Sequence, residues 1–192
     1  MTAMLPRTMT VEQFEASPRS RGRELVDGEL VEKAVGNEAS SISTELLAIL
    51  RNFVKEAGLG RVFGSEAGYC CFPHRPKLVR KPDVSFVKSG RYPNDRPPRG
   101  FAKIAPDFVA EVISPGDRMY AVEERLDDFR RAGVPLIWVV NPDRRAITTF
   151  QLDGAIRRYA AEDRIAGEPV FPCFSFIVGD IFPPPLGDGG QQ

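Results

Sequence analysis

"PDFVAEVISP", residues 106–115, is an apolar run with the character of a buried β-strand and a glutamate, Glu111, at its centre. Side chains alternate with period two along a strand, so Asp107, Val109, Glu111 and Ile113 share one face. A carboxylate is therefore aimed where a core side chain is expected. Burying an ionised acid is costly unless a partner or a metal compensates it, so the position calls for a salt bridge or a site.

The flanking sequence sets the fold class. After Pro115-Gly116, "MYAVEERLDDFRRAG" (119–133) places Val122, Leu126 and Phe129 one helical turn apart, with Asp117 as expected N-cap and Gly133 as stop. "PLIWVVNP" (135–142) then reads as a short buried strand. Strand, helix, strand in this order predicts a right-handed crossover between two parallel strands, and hence an α/β centre. Upstream, "RELVDGELVEKAV" (23–35) predicts a β-hairpin turning at Asp27-Gly28. An amphipathic helix is expected over 38–57, where Ile42, Leu46, Leu47, Leu50, Phe53 and Val54 recur at helical spacing and Gly58 offers a stop. Further strands are expected at 61–63, 67–72 and 83–87, and a Pro- and Arg-rich connection, 88–106, is long enough to suggest function. Downstream, "AITTFQ" (146–151) and "AIRRYA" (155–160) predict a β-meander, and "PPPLGDGGQQ" (183–192) a flexible tail.

Composition narrows the chemistry. The 192 residues suit one domain, residues 1–182 with a core at about 23–182, and the 42% hydrophobic and 27% charged content is ordinary for a globular protein. The formal net charge of zero excludes strong bulk attraction to nucleic acid or anionic membrane but leaves room for a basic patch. Cys70, Cys71 and Cys173 fit neither a disulfide framework nor a zinc spacing, which with the absence of a signal-like N-terminus predicts a reducing, cytoplasmic setting. No segment has the length and apolarity of a membrane span, and no Gly-rich nucleotide loop is present, so neither a membrane nor a nucleotide cofactor is expected. The single histidine, His74, reads as an exposed loop residue. Any metal site must then be built mainly from carboxylates, which favours Mg²⁺ or Mn²⁺.

Two acids stand in strands near a proline: Asp83 in "RKPDVSFV" and Glu111 in "PDFVAEVISP". If their strands are neighbours, both can reach one hard cation, a combination suited to phosphodiester hydrolysis. The alternative is structural pairing, Asp83 with Arg80 or Lys81 and Glu111 with Arg125. Asp107, at the strand's start, reads mainly as a capping or edge residue.

The segments "LVDGELVE", "RKPDVSFV" and "APDFVAEVISPGDRMYAVEERLDDFRRAGVPLIWVVNP" resemble the Uma2-like proteins of the PD-(D/E)XK nuclease superfamily, over about Arg23 to Phe182. The resemblance implies a restriction-endonuclease-like mixed central sheet flanked by helices, which goes with the N-terminal hairpin and C-terminal meander read above. It implies a metal site from Asp83, Glu111 and the main-chain carbonyl of Val112. The superfamily's lysine, two residues after the glutamate, is replaced here by Ile113. Uma2-like proteins are similar in carrying a lysine on the next helix, and the matching residue here is Arg125, which helical spacing puts on the side of Val122 and Phe129, toward the sheet. Arginine holds a phosphate with a planar fork but does not readily release a proton. Either Arg125 positions the phosphate while an activated water attacks, or the chain is a weakened or inactive relative. Glu29 and Glu66 are further candidates for approaching the metal from the side, with Asp107 a minor one.

Between His74 and Lys103 nine lysines and arginines face only Asp83 and Asp95. Arg80, Lys81, Arg91, Arg96 and Arg99 are the expected phosphate contacts, since neutralised phosphates supply most sequence-independent affinity. The expected partner is nucleic acid, with DNA foremost, and a homodimer follows by analogy with nucleases that cut both strands. The leading expectation is a Mg²⁺-dependent DNA endonuclease. The other is a nucleic-acid-binding or interaction module that retains the fold without cutting.

Overall fold

The computed structural model describes residues 8–33 and 36–184. In chain order the elements are α1 (Val11–Glu15), β1 (Arg23–Val26), β2 (Glu29–Glu32), α2 (Asn37–Glu56), β3 (Gly60–Gly64), β4 (Val84–Lys88), β5 (Phe108–Val112), α3 (Met119–Arg131), β6 (Leu136–Asn141), β7 (Ala146–Gln151), β8 (Ile156–Tyr159), β9 (Arg164–Ala166) and β10 (Ser175–Ile177). Six strands form a mixed sheet in the order β3-β4-β5-β6-β7-β8, in which only β5 and β6 run parallel. That parallel pair encloses α3, as the strand–helix–strand pattern predicts. The sheet is flanked by α2 on one face and α3 on the other.

Period-two alternation divides the side chains between the faces. Val84, Phe86, Phe108, Ala110, Leu136 and Trp138 meet Ile42, Leu46, Leu50 and Val54 of α2 in one buried cluster. Val87, Val109, Ile137 and Val139 meet Val122, Leu126 and Phe129 of α3 in the other. Glu111 belongs to the α3 side by the same alternation, so the acid that interrupts "FVAEV" points under α3.

The hairpin turns where the sequence places it. Asp27 and Gly28 have φ of 51° and 90°, and a Cβ on Gly28 would come within 2.6 Å of the Thr8 side chain. Leu25 exchanges main-chain hydrogen bonds with Val79 at 2.8 and 3.1 Å, which locks β1 onto the segment leading to β4. The meander forms as expected, whereas "FSFI" pairs with β9 in a separate two-stranded ribbon.

Two local expectations fail. Residues 67–72 are not a strand: Tyr69 alone bridges, to Arg80 on one side and Ala102 on the other, and its hydroxyl reaches inward to Ser85 at 2.8 Å. Nor does Asp117 cap α3. Arg118 holds the N-cap position without a side-chain bond, while Asp117 folds back to accept from the Ser114 amide at 2.8 Å. Residues 185–192 of the expected tail lie outside the described part.

Candidate metal and nucleic-acid site

The antiparallel register that pairs Val84 with Ala110 and Ser85 with Val109 sets Asp83 against Glu111 when extended by one residue. The two acids therefore meet at the end of the sheet where β4 begins and β5 finishes. Asp83 is held there because its Oδ2 accepts the Val112 amide at 2.8 Å. Glu111 is 4% exposed, and its Oε1 is buried without a hydrogen-bond partner among the described residues.

A lysine reaches this pair from the hairpin. Lys33, one residue past β2, places Nζ 2.8 Å from Asp83 Oδ1, 3.7 Å from Glu111 Oε2 and 2.7 Å from the Lys81 carbonyl. Burial works against its charge, but Glu111 and Asp83 outweigh it and push Lys33 up to about 12. Burial pushes Glu111 up to about 7, with Asp83 adding to the rise and Lys33 and Arg125 opposing it. Of the opposing influences the ammonium is the strongest.

Arg125 comes from α3 on the side of Val122 and Phe129 and is buried, as helical spacing predicts. Its Nε lies 3.5 Å from Glu24 Oε2 and one terminal nitrogen 3.5 Å from Asp117 Oδ1, with Nε itself unpartnered. It is held by charge more than by directed hydrogen bonds. The cavity that these groups share, about 240 Å³, is lined by Lys33, Lys81, Asp83, Glu111, Asp117 and Arg125, with Ser40 and Ser43 from the first turns of α2 closing it. A larger cavity of about 500 Å³ at the other end of β4 is lined by Arg51, Lys55, Arg61 and Lys88, with Asp95 its single acid. Without a carboxylate pair it is no candidate for the chemistry, but it is basic.

The remaining expected residues divide. Glu66 joins the cavity and pairs with Lys81 at 2.8 Å. Glu29 is exposed on β2 and lines no part of the cavity. Asp107 accepts from the Lys88 amide at 2.8 Å and pairs with Arg91 at 2.9 Å, a capping role at the start of an interior strand, and lines no part of the cavity. Arg80 is 2% exposed and its guanidinium is spent on Glu24 and Asp128, at 2.8 and 2.7 Å, which removes it from the phosphate contacts. Lys81 is equally buried, with its ammonium bonded to the Ser20 carbonyl at 2.6 Å and to Glu66 at 2.8 Å, which removes it from the phosphate contacts as well. Arg91, Arg96 and Arg99 are exposed on the 88–106 connection. His74 is an exposed turn residue, as expected, and its ring lies 3.6 Å from Asp128. Burial pushes the Cys71 thiol up to about 12, so it is protonated near neutral pH and is no nucleophile.

A family model, Uma2, described as "Putative restriction endonuclease", matches residues 11–179. The chain belongs to the Uma2 family. No curated protein matches it. Among solved structures it is similar to one from Anabaena variabilis ATCC 29413 described as "a putative nuclease belonging to DUF820", with 20% identity and a TM-score of 0.75 over 91% of this chain and 97% of that one. That likeness concerns the fold, and it accords with the mixed sheet and flanking helices described above.

In this Uma2 chain the residues that sequence reading overlooked are Lys33, Glu24 and Asp117. Glu24 carried little signal: it follows Arg23 at the polar start of a short strand, yet it is 0% exposed. Lys33 carried none, because the path of the hairpin end across the sheet is a tertiary matter. The fit of a hard cation rests on donor chemistry. No group of three or more His, Cys, Asp or Glu side chains is arranged as metal ligands among the described residues, so the side-chain set is limited to Asp83 and Glu111. Both offer oxygen, and the buried, unpartnered Oε1 of Glu111 is an acceptor still to be satisfied.

Proposed function

We propose that the chain is a divalent-metal-dependent endonuclease that hydrolyses phosphodiester bonds in DNA. The observation that carries this reading is the meeting of Asp83 and Glu111 across adjacent strands with Glu111 Oε1 unpartnered, in a cavity that also holds a lysine and an arginine. Asp83, Glu111 and the Val112 carbonyl would hold Mg²⁺ or Mn²⁺. When bound, such an ion lowers the pKa of a coordinated water and stabilises charge on a phosphate oxygen.

The chain's own groups supply the rest. Arg125, with no tight hydrogen bond to give up, presents its fork to the scissile phosphate and stabilises the charge that grows on its oxygens. The Lys33 ammonium adds a second positive group at the same wall. Glu24 and Asp117 hold Arg125 in place from both sides. Arg91, Arg96 and Arg99 take backbone phosphates outside the cavity, a contribution that positions the duplex without reading its sequence. Cutting both strands in one encounter calls for two copies of the chain.

One observation favours the second reading, a module that binds nucleic acid without cutting it: the chain itself supplies a cation to Asp83, the Lys33 ammonium at 2.8 Å. Cleavage of supercoiled plasmid decides between them. The nuclease reading expects nicking in Mg²⁺ or Mn²⁺ that stops with chelator and falls at least about a thousandfold in Asp83→Ala and Glu111→Ala. Nucleic-acid binding unaffected by chelator, with no cleavage by the wild type, would establish the binding module instead.

A further inference from the structure

The carboxylate pair already has a cation of the chain's own. Asp83 has one oxygen, Oδ2, committed to the Val112 amide, so Oδ1 is the oxygen left to face a ligand. Lys33 Nζ sits on that same Oδ1 at 2.8 Å and reaches Glu111 Oε2 at 3.7 Å. It is the only side-chain cation within ion-pair distance of either acid among the described residues, since Arg125 pairs with Glu24 and Asp117. A divalent ion and an ammonium cannot share Oδ1 cheaply, because two cations at such separation repel strongly in a site shielded from water.

We infer that Lys33 sets the affinity of the Asp83–Glu111 pair for divalent cations, by occupying the oxygen a metal needs until the metal displaces it. This rests on the reading of Asp83 and Glu111 as metal ligands. The exchange is a short one. Lys33 also donates to the Lys81 carbonyl at 2.7 Å, a neutral acceptor that it need not release when it leaves the carboxylates. Displaced, the ammonium stays in the cavity wall, where the phosphate of a bound substrate would receive it. Metal and nucleic acid are then expected to load together, each making room for the other.

The test is calorimetric titration of Mn²⁺ alone, at pH 8, into wild type, Lys33→Met, Lys33→Arg and Asp83→Asn, each checked for folding by thermal unfolding. Lys33→Met is expected to bind Mn²⁺ at least tenfold tighter than wild type, Lys33→Arg no tighter, and Asp83→Asn not at all. Lys33→Gln, which keeps a donor for the Lys81 carbonyl and carries no charge, serves with the same expectation should the methionine variant fail to fold. Affinity unchanged or weakened in the neutral variants, with binding still lost in Asp83→Asn, overturns the exchange and leaves the metal site standing. If neither wild type nor the folded neutral variant binds Mn²⁺, the metal-site reading itself falls.

Discussion

On one face of the sheet Trp138 meets Phe108 edge to face at 5.0 Å, and Phe86, Phe171, Phe174 and Phe176 extend the aromatic packing under α2. On the other face, at the α3 side, Glu24, Arg80, Glu111, Arg125 and Asp128 are all buried and charged beside a smaller apolar cluster. The same strands serve both, since alternate residues of β4 and β5 point to opposite sides. Apolar burial on the α2 side stabilises without directional demands. A buried ionic cluster contributes little net stability but penalises the loss of any one member. The α2 side of the sheet carries the larger apolar cluster, and the α3 side carries charges that a purely structural face would avoid.

The largest expected effect tests the apolar side. Trp138→Ala should cost about 3–5 kcal/mol in urea denaturation, because a large side chain is removed from a fully buried position. Mn²⁺ affinity of the folded fraction should not change. A comparable loss of metal binding in the folded protein would break the separation between the faces.

Next in size is the ionic side. Arg80→Met leaves Glu24 and Asp128 without their main partner and should cost about 3 kcal/mol in the same measurement. A neutral or stabilising result would mean that Arg75, which also reaches Asp128 at 3.1 Å, and Arg125, 3.5 Å from Glu24, take over the two acids.

Glu111→Gln probes the site by pH. Burial raises the folded pKa of Glu111 to about 7, above its ordinary value of 4.5, so the folded state binds a proton more tightly than the unfolded chain does. Its contribution to stability is therefore present below about pH 4.5 and is lost as pH rises toward 7. The glutamine variant, which keeps the neutral form throughout, should gain on wild type across this interval by up to about 3 kcal/mol. Unfolding free energies of both proteins at pH 5 and pH 8 check it. A difference that does not grow with pH would mean that Lys33 holds Glu111 ionised throughout.

The smallest effect on stability, and an informative one for function, is Arg96→Ala with Arg99→Ala. These exposed changes should alter stability by no more than about 0.5 kcal/mol each. If they contact phosphates, each should reduce the slope of log affinity for DNA against log salt by about one. An unchanged slope would remove Arg96 and Arg99 from the interface and turn attention to the basic cavity of Arg51, Lys55, Arg61 and Lys88.

Sequence by itself determined the central crossover, because an apolar run, an amphipathic helix and a second apolar run leave few ways to bury three apolar surfaces together. It also determined the hairpin, where Asp27-Gly28 accepts positive φ, and it exposed Glu111 as an anomaly, since period two is a local property of any strand. The inward direction of Arg125 was legible from helical spacing for the same local reason. Tertiary structure alone decided what those side chains meet. "RKPD" read as a basic patch, yet Arg80 and Lys81 are buried because Glu24, over fifty residues earlier, arrives to bond Arg80 and the Lys81 amide. Asp83 pairs with neither of its basic neighbours in sequence but with Lys33, fifty positions away. Charge is long-ranged and indifferent to chain order, so the partner of a buried acid is settled only when the whole chain has folded around it.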